Sequence, residues 1–155
     1  MQEIEIMSNF LINHVPTFFL AILGYFLGHF LSLKLNGEVK RCEFILDELN
    51  KLSETIEESL YTISQSTQSP DFIKIVLNKQ RIMSRKVDFT IKILEKYSIK
   101  TFKLKEYFDN IKSFLTGDEF SISASQKIDE QKLNQLKVNI LGEIDDLKWE
   151  TINKF

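Results

Sequence analysis

Between residues 6 and 33 the chain carries no formally charged side chain, and from Lys34 onward it is dense in lysine, glutamate and aspartate. That uncharged run limits the possible folds more than any other feature, because it and the rest of the chain do not suit the same solvent. A bilayer core about 30 Å thick is crossed by roughly 20 apolar residues rising about 1.5 Å each. Residues 10–35, FLINHVPTFFLAILGYFLGHFLSLKL, are therefore expected to form a transmembrane helix. Pro16 suits its first turn, where a missing N–H breaks no helical bond. Residues 1–9 then form a short leader, and 36–155 a separate domain.

Two other readings of the run are weaker. A cleaved signal peptide needs a basic leader and small residues at its exit, but the chain begins Met1-Gln2-Glu3-Ile4-Glu5 and leaves the run through Leu31-Ser32-Leu33-Lys34-Leu35. A core helix buried in a larger protein seldom runs so far without a charge. Lys34, Lys40, Arg41 and Lys51 all follow the run and no basic residue precedes it. The excess of bases on one flank predicts an inner-membrane, single-pass protein with its N-terminus outside and its C-terminal domain cytoplasmic. Cys42 is the single cysteine, so no intramolecular disulfide forms.

Thr17, Ala21, Gly24, Gly28 and Ser32 recur at steps of 4, 3, 4 and 4, which places them on one stripe of a helix. Gly24 and Gly28 form GxxxG, a spacing that lets a second helix backbone approach closely. These five residues are the expected helix–helix contact in the membrane. His29, beside Gly28, reads as an interfacial polar residue.

Only two prolines and five glycines interrupt the 155 residues, so the remainder is expected to be all-α: an antiparallel, coiled-coil-like bundle of about four amphipathic helices. Over 36–64 the residues Val39, Cys42, Leu46, Leu49, Ile56, Leu60 and Ile63 trace a heptad seam, widened by Ile45 and Leu52. Its opposite face carries Glu43, Asp47, Glu54 and Glu58. Ser69-Pro70-Asp71 opens a second helix reaching about Tyr97, buried through Phe72, Val76, Met83, Val87, Ile91 and Leu94. Lys74, Arg81, Arg85, Lys92 and Lys96 line the other side within about 60° at 100° per residue. A third helix is expected over 102–116 with Gly117 as its stop, followed by a loop over 118–125 anchored by Phe120 and Ile122. A fourth begins between 125 and 129 and carries Leu133, Leu136, Ile140, Ile144 and Leu147. Gly142 suggests a close helix contact there, and Trp149, Ile152 and Phe155 form a tail that either closes the bundle or meets a bilayer surface.

The five cations of the second helix form a basic face for anionic membrane lipid or for an acidic partner, including the acidic face of another copy. The net charge of −2 and the lack of aromatics interleaved on that face make nucleic acid an unlikely partner. No catalytic constellation, cofactor motif or metal-ligand spacing stands out: both histidines, His14 and His29, lie in the uncharged run, and there is no CxxC, HExxH or glycine-rich phosphate loop. The chain is therefore expected to be a membrane-anchored interaction or scaffold protein, a homo-oligomer or the companion of another membrane protein, and not an enzyme. The alternative is a membrane-active effector, of the phage-lysis or toxin type, acting through oligomerisation of its span.

Overall fold

A computed structural model describes the backbone of residues 2–67, 69–117 and 129–155, and the side chains of these from residue 20 onward. The described residues form four helices and no strand: α1 (Gln2–Gln65), α2 (Phe72–Lys96), α3 (Phe102–Thr116) and α4 (Glu130–Lys154). The chain divides into two compact units, Met1–Arg41 and Cys42–Phe155, and α1 continues from one into the other. The expected span and the expected first bundle helix are thus one element. Asn36-Gly37 does not interrupt it, since a single glycine costs a helix only about 1 kcal/mol.

The transmembrane expectation is corrected. Among the described residues, no helix is long and apolar enough to cross a membrane. Of the expected span, residues 20–33 carry described side chains and no formal charge. Gly24, Gly28, His29 and Ser32 dilute their hydropathy, and Lys34 ends them. Residues 10–19, Thr17 included, lie outside the described side chains. With the span goes the single-pass, inner-membrane, N-outside placement that depended on it.

The second unit is organised by burial. Ile45, Leu49, Leu52, Ile56, Leu60 and Ile63 of α1 meet Val76, Met83, Val87 and Leu94 of α2, five residues of α3 from Leu104 to Leu115, and Leu133, Ile140, Ile144 and Leu147 of α4 in one apolar cluster. The α1 seam is rotated from the expected one. Ile45 and Leu52 are fully buried, whereas Val39 is 54% exposed and Cys42 and Leu46 only half-buried. Thr90 is also fully buried, and its hydroxyl has no hydrogen-bond partner among the described residues, while the hydroxyl of buried Thr151 donates to the Leu147 carbonyl at 2.7 Å.

Local chemistry sets the helix ends. The Ser69 hydroxyl accepts from the Asp71 N–H at 3.2 Å, and the Ser69 carbonyl accepts from the Phe72 N–H, so the Ser-Pro-Asp sequence turns the chain into α2. At the far end Ser98 adopts φ 56°. The Ile99 N–H reaches back to the Leu94 carbonyl and the Ser98 N–H to that of Glu95. These two bonds, with Ile99 and Leu94 both buried, are a Schellman closure in which serine holds the left-handed position usually given to glycine. Gly117 ends α3 for a different reason: a Cβ there would lie 2.7 Å from the Ser113 carbonyl oxygen. The Asp129 side chain caps α4 by accepting from the Lys132 N–H at 2.9 Å. The loop expected over 118–125, with Phe120 and Ile122, lies outside the described residues.

Ion pairs give the helix directions. Lys79 pairs with Glu58 at 2.9 Å and Lys86 with Glu48 at 2.7 Å. Moving forward along α2 therefore moves backward along α1, so the two run antiparallel. Lys137 of α4 reaches Glu57 at 3.1 Å. Lys154 donates to the Ser98 carbonyl, and Phe155 meets the Tyr97 ring edge-on. The end of α4 thus closes on the joint between α2 and α3, whereas Trp149 and Ile152 stay exposed.

Candidate interaction surfaces

The first unit presents an apolar surface. From Leu20 to Leu35 the large apolar side chains lie on every side of the helix, with Tyr25 72% and Phe30 68% exposed. Ala21, Gly24, Gly28 and Ser32 are exposed as well. A Cβ built at Gly24 or Gly28 would meet nothing within 4 Å, so within the described residues neither glycine is needed to make room for the chain's own packing. Tyr25 and His29 stack at 6.2 Å with rings 3° apart, a contact along one helix side that leaves the small-residue stripe uncovered.

In the second unit the basic residues of α2 fall into two groups. Lys79 and Lys86, on the flank toward α1, are engaged with Glu58 and Glu48. Lys74, Arg81, Arg85, Lys92 and Lys96 are all exposed, and none forms an ion pair with the described residues. Lys96 instead lies over the Tyr97 ring at 5.9 Å. The structure therefore brings together the five cations grouped from the sequence, about 180° from the buried seam of α2 at 100° per residue.

Sequence reasoning missed Glu48. It falls between Ile45 and Leu52 on the inward side of α1, is 7% exposed, and bridges Lys86 at 2.7 Å and Lys51 at 3.1 Å. The hydrogen bond from Lys86 holds its carboxyl below the usual carboxylate range, against the opposing effect of burial. Its i, i+3/i+4 spacing with buried apolar residues was the available signal. Glu143, 8% exposed on α4, moves the other way: burial raises its pKa, and the field of Lys103 only partly opposes that. Gly142 beside it is exposed and has open space around it, so the described residues make no close helix contact there.

These surfaces have no known counterpart to be read against: no protein-family model, no curated protein and no solved structure matches the chain.

Proposed function

We propose that this protein is a helical interaction module that assembles copies of itself, with the first unit supplying the helix–helix contact. The observation that carries this is the apolar surface of residues 20–35, exposed around the whole helix. Contiguous apolar exposure beyond a few hundred Å² marks an interaction site. Within it the Ala21, Gly24, Gly28 and Ser32 stripe is the place where a second helix backbone comes closest. The open space at both glycines supports a partner from outside the chain. A second copy is the occupant because it brings the same stripe, and a two-fold pairing of identical faces is the commonest route to closed association.

Amine-reactive cross-linking of the purified full chain tests this reading. Gly24→Leu combined with Gly28→Leu is expected to weaken dimer formation about tenfold, equivalent to about 1.4 kcal/mol, with the thermal unfolding of the second unit unchanged. An undiminished dimer yield would remove the stripe from the reading.

A further inference from the structure

The second unit carries two charged rows whose spacings match. Glu43, Asp47, Glu54 and Glu58 of α1 recur at steps of 4, 7 and 4; Arg81, Arg85, Lys92 and Lys96 of α2 recur at the same steps. Each row extends about 22 Å along its helix and stays within a sector of about 60°. Both are exposed, and both face away from the apolar seam of their own helix. We propose that the basic row of one copy docks on the acidic row of another, giving the bundle a head-to-tail interface.

The spacing is palindromic, so the rows fit whether the two helices meet parallel or antiparallel. Among the described residues, neither row is fully paired. Glu43 and Glu54 form no ion pair with described residues, and none of the four basic residues does. Asp47 and Glu58 are paired with Lys51 and Lys79, yet their side chains remain 57% and 74% exposed, leaving carboxylate lone pairs for a second cation. A second copy suits the basic row better than a continuous anionic surface does. Asp88 and Glu95 stand exposed beside that row on α2 and would face a sheet of lipid phosphates, whereas the acidic row of a second copy holds Lys51, its side chain 52% exposed, in the gap between Asp47 and Glu54 that answers the gap occupied by Asp88. The contact joins two different faces, so it is heterologous and adds copies one after another instead of closing a pair. It does not depend on the apolar contact of the first unit.

The test uses the full chain in sedimentation velocity at 0.1 M and 1 M salt, where the screening length falls from about 10 Å to about 3 Å. Species larger than a dimer are expected at low salt and are expected to disappear at high salt. Arg81→Glu with Arg85→Glu, and separately Glu43→Lys with Glu54→Lys, alter only residues that form no ion pair with the described residues, and each is expected to weaken the salt-sensitive step at least about tenfold. Mixing the two variants, one of them fluorescently labelled, should restore the salt-sensitive species larger than a dimer, because the intact basic row of one meets the intact acidic row of the other; a folding defect would not be rescued in this way. The Gly24→Leu/Gly28→Leu chain separates the two readings, since it should lose the salt-insensitive dimer and keep the salt-sensitive step. Unchanged association in both charge variants, or no rescue on mixing, overturns the proposal. So does loss of phosphatidylserine-vesicle binding by Arg81→Glu/Arg85→Glu without loss of self-association, which would assign the basic row to lipid.

Discussion

Phe30 in the first unit and Phe108 in the second are both phenylalanines inside regular helices, yet one is 68% exposed and the other 3%. Backbone hydrogen bonding is the same in the two places. What differs is the pattern of neighbours. Around Phe108 the apolar residues keep to one side of α3, so one helix face is closed by its neighbours and the other meets solvent. Around Phe30 the apolar residues surround the helix, so packing against one side would still leave the rest bare. Apolar content alone makes a surface; apolar content confined to a stripe makes a core.

The sharpest way to break this contrast is a pair of truncations. Ile56→Ala, at a fully buried position, should lower the stability of the second unit by about 2–5 kcal/mol, the usual cost of emptying a packed site. Phe30→Ala should change it by less than about 0.5 kcal/mol and act on self-association instead. Urea unfolding followed by circular dichroism, alongside cross-linking, reads both. Equal losses of stability would mean that the two units are not distinct in the way proposed.

A charge substitution gives a smaller effect that depends on pH. Glu48 is held below the usual carboxylate range by Lys86, so it contributes stability above its unfolded pKa that is lost as pH falls through the lowered folded value. Glu48→Ala should cost about 1–3 kcal/mol at pH 7 by leaving the Lys86 ammonium, only 20% exposed, without its carboxylate. The deficit should shrink as acid protonates Glu48 in the parent chain. Glu143 has the opposite sign, because burial disfavours its charged form, so its own contribution to folding improves on acidification. An Glu48→Ala deficit that stays constant from neutral pH to well below the carboxylate range would count against the ionic role.

The smallest effect compares two glycines with equally open surroundings. Gly142→Ala should stabilise α4 by about 0.5–1 kcal/mol, since alanine loses less backbone freedom in a helix and has room there. Gly28→Ala has the same local advantage but should reduce dimer cross-linking, because its Cβ enters the space proposed for another helix. If both changes merely stabilise, the stripe is only a run of small residues.

Much of the second unit is legible from the sequence because its punctuation is chemical. Ser69-Pro70-Asp71 and Gly117 mark the start of α2 and the end of α3, although α2 begins at Phe72, with Asp71 and not Ser69 in the cap position, and the inward sides of α2 and α4 follow from regular spacing. The α1 seam was less legible because Val39–Cys42–Leu46 and Ile45–Leu52 offer two apolar rows side by side, and a strict heptad drifts by about 20° per repeat against a straight helix. Only the neighbouring helices decide which row turns inward. The basic row could be grouped by arithmetic, whereas the pairing of Lys79, Lys86 and Lys137 depends on which helices lie beside α1. The span is corrected on the described residues, where Gly24, Gly28, His29 and Ser32 break the apolar run and Lys34 ends it.

The ion pairs that reveal helix direction also bear on how the bundle is assembled in time. Lys79 and Glu58 are separated by 21 residues, whereas Lys137 and Glu57 close a loop of about 80, which by chain statistics costs about 1.2 kcal/mol more in ordering. The α1–α2 hairpin is therefore the favoured early product, and the arrival of α4 on α1 a later one. Until that step the apolar cluster lacks the α4 residues Leu133, Ile140, Ile144 and Leu147, so a chain caught midway shows neighbouring molecules both this temporary apolar surface and the permanent one at residues 20–35. Cold, dilute refolding should accordingly recover more of the native bundle than rapid refolding at high concentration.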